Sequence, residues 1–292
     1  MAYLEHIPTR PLYHYTNEAG FRGILQSREL WLSDLQQSND PRDLHMGLAT
    51  LRQIMNNIRV RDYSQKTGDT LAKMIMKITR YFETDRLYTT CFTPYADNIN
   101  MWREYGDGGK GYSIGFRPRA ITDMHGRIYQ VRYIDDDSHD DLYNLISEIL
   151  KPIEIYGDGI FHSIERELEI ATALISIAGS LKHITWEYEH EVRLTFAAGD
   201  NRPSNQMPVS FFPDEREMQW KKFRTRQAGE KMIKYHSLPF GKFVGQENNP
   251  REAVFCVLLG PKSNLSEGDV KKILLDNGFS SFNVSSSTCA FR

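Results

Sequence analysis

The chain has 292 residues, 40% of them hydrophobic and 25% charged, enough to bury a sizeable core in one large domain or two small ones. Its 36 Lys and Arg against 38 Asp and Glu give a formal net charge of −2, which argues against a protein that coats nucleic acid or an anionic membrane, although it leaves room for a local basic patch. Cys91, Cys256 and Cys289 are too scattered for a disulfide framework and lack zinc-ligand spacing, so a reducing compartment without structural zinc is expected.

Leu12 to Tyr15 reads as a strand, with Leu12 and His14 on one face and Tyr13 and Tyr15 on the other. Glu18 to Ser27 follows as a short helix carrying Phe21, Ile24 and Leu25 on one side, and Leu30 to Ser33 as a second strand. Ser38-Asn39-Asp40-Pro41 starts a helix, with Asp40 as cap and Pro41 at the first helical position, and Leu44, Leu48, Leu51, Met55 and Ile58 form its apolar stripe. A further helix over 69–82 completes a helical insertion near 41–83. Strands are predicted at 87–92, 111–116 and 128–134, with a short helix at 98–105. Ser138 opens a second helical insertion, near 138–184. Its longest pattern runs from Gly159 to Lys182, where Phe161, Ile164, Leu168, Ala171, Ile175 and Ala178 recur as a buried stripe. Glu191 to Ala197 reads as a strand. A helix near 215–226, strands at 231–238 and 253–259, a helix over 267–276 and a strand near Phe282 finish the chain. The pattern has no regular βαβ rhythm and no linker, so a single α+β domain over 1–292 is expected. The charged N-terminus does not fit a signal peptide, and no stretch approaches the roughly 18 apolar residues of a membrane span, so a cytoplasmic protein with no membrane contact is expected.

Three segments carry candidate chemistry. His14, in Tyr13-His14-Tyr15-Thr16, suits a hydrogen bond to a ligand hydroxyl, or is a satisfied core histidine. Cys91-Phe92-Thr93 and the following Met101-Trp102-Arg103-Glu104-Tyr105 offer aromatic rings to stack on a planar ligand and the Thr93 hydroxyl to position a sugar; alternatively Phe92 and Trp102 are core and Thr93 ends a strand. From Glu189 onward, His190, Val192, Leu194 and Phe196 alternate with Glu189, Glu191 and Arg193, which places two carboxylates on one strand face. Neighbouring acids can differ in pKa and divide acid–base and electrostatic roles. The competing reading is a solvated face on which Arg193 neutralises both.

Other signals are weaker. Gly106 to Gly111 lacks the Ser or Thr that follows the lysine of a phosphate-binding loop and reads as a flexible turn. Asp135, Asp136, Asp137, Asp140 and Asp141 lack calcium-loop spacing, and no metal is expected. Lys221, Lys222, Arg224 and Arg226 beside Trp220 form a basic run that either meets phosphates or is a solvated helix face.

Taken in order, LYHYT, ELWLSD, SNDP, CFT, MWREYG with GYSIGF, WEYEHEVRL and VLLGPKS resemble the bacterial family called domain of unknown function 2971, from about Leu12 to the C-terminal strand. That family is similar in fold to the ADP-ribosyltransferases. The resemblance implies an α+β, split, mostly antiparallel sheet with helical insertions that holds NAD as substrate in a cleft. It also implies catalytic roles for Glu191 and Glu189, with ribose or nicotinamide contacts from His14, Tyr15, Thr16, Thr93 and Tyr105. Glu191 would stabilise the positive charge that develops on the ribose as the nicotinamide bond breaks. The expected activity is transfer of ADP-ribose to an unidentified macromolecular or small-molecule acceptor, with nucleic acid a disfavoured choice. An NAD glycohydrolase, or a non-catalytic interaction module on the same fold, is the alternative. Toxin, phage-defence and housekeeping settings all fit.

Overall fold

A computed structural model describes residues 6–37, 43–61, 64–124, 126–135, 140–199, 223–228, 230–240 and 250–290. The Ser38–Pro41 helix start, Asp136 and Asp137 of the aspartate run and the Trp220–Lys222 part of the basic run lie outside them.

Strand β1 (Leu12–Thr16) leads into helix α1 (Glu18–Ser27) through Asn17, whose side-chain oxygen accepts from the Gly20 amide. Strand β2 (Glu29–Asp34) follows. Helices α2 (Asp43–Arg61) and α3 (Gln65–Thr84) form the first insertion, and β3 (Asp85–Phe92) returns to the sheet. Helix α4 (Ile99–Glu104) is capped by Asn98. Strand β4 (Tyr112–Phe116), the short helix α5 (Pro118–Thr122) and strands β5 (Arg127–Gln130) and β6 (Arg132–Ile134) come next. Helices α6 (Asp140–Tyr156) and α7 (Ile164–Gly179) make the second insertion, followed by β7 (Leu181–His183) and β8 (Val192–Gly199). The chain closes with β9 (Arg224–Ala228), β10 (Lys231–Pro239), β11 (Val254–Leu259), α8 (Glu267–Asp276) and β12 (Asn283–Ser286).

The strands form an α+β arrangement of antiparallel and mixed sheets. One sheet has the order β1-β4-β11-β12, with only β11 and β12 parallel. A second, antiparallel throughout, has the order β5-β8-β3-β2-β10-β9. The parallel pair β6 and β7 stands apart. The two large sheets are joined by an isolated bridge in which Tyr13 and Thr93 exchange backbone hydrogen bonds of 2.8 and 2.9 Å just past the end of β3. Phe21, Leu32, Phe92, Ile114, Phe116, Leu194, Phe196 and Val257 bury themselves in one core between them.

The two helical insertions pack as one layer. Leu44, Leu51, Met55 and Ile58 of α2 share a second core with Ala171, Leu174 and Ala178 of α7 and with residues of α3 and α6. Gly47 makes the α2–α7 crossing close: a Cβ there would lie 2.0 Å from the Ala178 carbonyl oxygen. Among the described residues no helix is long and apolar enough to cross a membrane.

Several expectations need correction. The pattern from Gly159 to Lys182 is not one helix. It divides into a 3₁₀ turn over Gly157–His162, then α7, then β7, so Lys182 lies on a strand. The strand predicted over 128–134 breaks at Val131 into β5 and β6, which join different sheets. Arg224 and Arg226 lie on β9 rather than a helix, because pairing with β10, which is non-local information, decides their conformation. The Gly106–Gly111 turn is tied down: the Gly111 amide donates to Gly106 O at 2.8 Å and the Gly260 amide to Gly111 O at 2.9 Å.

Candidate functional site

A cavity of about 910 Å³ opens beside the junction of the two sheets. One face of the antiparallel sheet forms its floor, and β1, α1, α4 and the turn before β8 form its walls. It brings together His14, Tyr15, Thr16, Tyr105, Glu189 and Glu191. Thr93 is not among its lining residues: the side chain is fully buried and its hydroxyl accepts from the Tyr95 amide at 3.4 Å. Backbone pairing with Tyr13 turns the Thr93 side chain away from the hollow that its neighbours line.

His14 projects from β1 on the same side as Leu12, and its Nδ1 lies 2.9 Å from the Cys91 carbonyl oxygen. A carbonyl can only accept, so Nδ1 carries the hydrogen and Nε2 is left as an acceptor. Burial lowers the imidazole pKa, partly offset by that bond, which favours the neutral ring. The Tyr15 hydroxyl is occupied, donating to Tyr95 O at 3.1 Å and accepting from the Asn98 amide at 3.0 Å.

At the opposite wall sits a buried charge cluster. Glu189, Glu191, Lys182 and Arg193 are 2%, 3%, 5% and 2% exposed, so the solvated-face reading is wrong for all three residues of the Glu189–Arg193 stretch it covered. Arg193 grips Glu191 with two nitrogens, Nε to Oε1 at 2.7 Å and Nη2 to Oε2 at 3.0 Å, and its Nη1 donates to the last carbonyl of α7, Gly179 O, at 2.8 Å. Lys182 Nζ donates to Glu189 Oε2 at 2.5 Å and Glu191 Oε2 at 3.0 Å. The Tyr105 hydroxyl donates to Glu189 Oε1 at 2.5 Å, and the Glu191 amide to the Tyr133 hydroxyl oxygen at 2.8 Å.

Glu189 reaches this cluster by a route the alternation did not foresee. It ends a 3₁₀ turn over Ile184–Glu189, outside the strand, which begins at Val192. His190 then takes a left-handed conformation, φ 44° and ψ 49°, which a non-glycine residue adopts at a cost. That reversal lets Glu189 and Glu191 meet one lysine from two directions. Val192, Leu194 and Phe196 fill the core on the other face, as the alternation requires.

The two carboxyls are pushed apart in pKa. Burial favours the neutral form of both. For Glu191 the opposing charges of Arg193, then Lys182, outweigh burial and hold the group below the usual carboxylate range. For Glu189 burial dominates, only partly offset by Lys182 and reinforced by the negative charge of Glu191, so its pKa is raised. Burial opposes the charge on Lys182, but Glu191 and Glu189 hold its pKa above the ordinary value. Two environments that separate neighbouring acids in this way suit one group to stay ionised and the other to take up a proton.

Sequence reasoning missed Lys182 as a cavity residue; Trp186, Cys91 and Arg226, which also line the cavity, lay in segments it singled out but were given no individual role. The Lys182 ammonium lies 4.9 Å from the centre of the Trp186 ring. The Gly179-Ser180 pair, a helix-stop signal, could have placed Lys182 beyond the helix. Gly23 also faces the cavity, and a Cβ built there meets nothing within 4 Å. Gly23→Leu is therefore expected to preserve the melting temperature, since leucine also favours helix over glycine, while filling the hollow and abolishing ligand binding. Paired melting and calorimetric measurements check both halves.

The fold and the site thus define an α+β protein with antiparallel and mixed sheets and a cavity that has a buried carboxylate–cation cluster at one wall. Residues 101–194 match a family described as "Protein of unknown function (DUF2971)". That span holds Tyr105, Lys182, Glu189, Glu191 and Arg193, whereas His14, Tyr15 and Thr16 precede it. No match was found among curated proteins or among solved structures.

Proposed function

We propose that the cavity binds NAD and that the chain cleaves the nicotinamide–ribose bond, passing ADP-ribose to an acceptor. One observation carries this reading: His14 and Glu191, far apart in sequence, line the same open hollow. In the proposed reaction the glycosidic C–N bond breaks and its electron pair leaves with neutral nicotinamide. Positive charge develops on the ribose, as in glycoside hydrolysis, and the acceptor's oxygen or nitrogen then bonds to that carbon. The acceptor's proton goes to Glu189, the group whose raised pKa suits proton uptake. Glu191, held ionised, faces the developing charge, and His14 Nε2 accepts from a ribose hydroxyl. Tyr105 supplies a planar wall for the nicotinamide.

These roles fix a pH dependence. Glu189 must be deprotonated to accept a proton, and its protonation would leave two cations against one carboxylate beside a positive transition state. The kcat/KM for NAD is expected to rise with pH through a midpoint above the usual glutamate value of 4.5. Glu189→Gln should lower the rate and erase that limb. A profile with the limb intact in the variant would assign it elsewhere.

A second reading has its own support: Arg193 and Lys182 occupy both oxygens of Glu191, the arrangement expected if the fold serves as a binding module without turnover. Nicotinamide release, followed with and without cell lysate, separates the possibilities. Release that needs lysate indicates transfer, release without lysate indicates hydrolysis, and NAD binding without release indicates a module.

A further inference from the structure

The cavity has a second end, remote from the charge cluster. Cross-strand pairs set Arg193 opposite Cys91, Thr89 opposite Ser33, Ser33 opposite Tyr235, and Arg226 opposite Ile233. Residues paired across strands, and those two apart along one strand, share a sheet face. Arg193, Cys91, Ser33, Ile233 and Arg226 therefore lie on one face, one from each of β8, β3, β2, β10 and β9, and all five line the cavity. Four interstrand steps of about 4.8 Å make that floor about 19 Å across.

At the far end, Arg226 Nη2 donates to Ser33 Oγ at 3.2 Å, and its guanidinium carbon lies 5.9 Å from the centre of the Trp31 ring. Its Nε is buried and has no hydrogen-bond partner among the described residues. A buried donor left unpaired is rare and calls for an acceptor. The cations at the other end have theirs in Glu189 and Glu191. A guanidinium presents a fork of donors matched to phosphate oxygens. Trp31 stacks on Tyr235 at 4.5 Å yet stays 46% exposed, which leaves ring surface for a nucleobase. The basic run singled out in the sequence thus contributes Arg226 to the cavity.

We propose that Arg226, with Ser33 and Trp31, forms a phosphate-and-base subsite, so that NAD lies across the sheet with its nicotinamide riboside at Glu191 and its adenylate at Arg226. The orientation rests on the NAD reading; the nucleotide subsite stands on its own geometry. Titration calorimetry of the full chain with ADP, inorganic pyrophosphate and NAD tests both parts. ADP and NAD should give saturable binding that Arg226→Gln weakens tenfold or more, and Arg226→Lys, which keeps charge without the fork, by an intermediate factor. Trp31→Ala should weaken ADP and NAD but leave pyrophosphate unchanged, which separates base from phosphate recognition. Equal NAD affinity in wild type and in folded Arg226→Gln and Arg226→Lys would overturn the subsite while leaving the NAD reading intact. ADP binding that depends on Arg226, in a protein that never releases nicotinamide, would keep the subsite and remove the chemistry. Binding of none of the three would overturn both.

Discussion

Glu191→Gln is expected to release nicotinamide from NAD about a hundredfold more slowly than the wild type. A bare carboxylate about 4 Å from a developing positive charge, at an effective dielectric of about 20, contributes roughly 4 kcal/mol. At about 1.4 kcal/mol per tenfold that is close to a thousandfold. Arg193 and Lys182 spread counter-charge over Glu191 and reduce the effect, so the smaller figure is the one expected here. The variant keeps one oxygen to accept from Arg193 but leaves two buried cations facing Glu189 alone. The Glu189 pKa should then fall, and the acid limb of the rate profile should move down with it. A loss of rate with no movement of that limb would mean that the two carboxyls act independently.

Arg193→Met is expected to destabilise the fold by about 3–5 kcal/mol, the usual result when one partner of a buried ion pair is removed and the other stays behind. Arg193 also donates to the carbonyl at the end of α7, so the variant loosens the joint between the helical layer and the sheet. The loss should depend on pH. Glu191 has a lowered pKa in the folded chain, so its contribution is fully present above the ordinary carboxylate value and is lost as pH falls through the folded value. Glu189, with a raised pKa, acts in the opposite sense and favours the folded state in acid. The gap in unfolding free energy between wild type and Arg193→Met should therefore narrow at low pH. Urea melts at neutral pH and below 4 measure it, and a gap that is constant across that range would remove Glu191 as the partner that matters.

Local signals placed much of the fold. The observed bounds of α1 and α8 are those expected, because Asn17 caps one, and Ser266 with Asp269 forms a reciprocal capping box at the other. The sequence pattern and the family resemblance singled out His14, Glu189 and Glu191, all of which line the cavity, although Glu189 arrives there from a 3₁₀ turn rather than by strand alternation. What was not legible depended on pairing between distant segments. Three-residue β7 is too short for a period, so the apolar stripe of α7 ran on through Lys182 and hid the cation that joins the two glutamates. Arg226 sits in a run rich in helix formers, and only its partner strand makes it extended. Thr93 occupies the expected strand end, but the bridge to Tyr13 turns it inward, a geometry no linear pattern encodes. The burial of Glu189 and Glu191 was equally hidden, since charged residues read as solvent-facing until their counter-charges are located.

The most direct measurement is a calorimetric titration of NAD into the wild-type protein and into His14→Ala. Saturable binding that weakens severalfold in His14→Ala is the predicted result. An absence of heat up to millimolar NAD, in a protein that melts cooperatively, would contradict the assignment of this cavity to a dinucleotide.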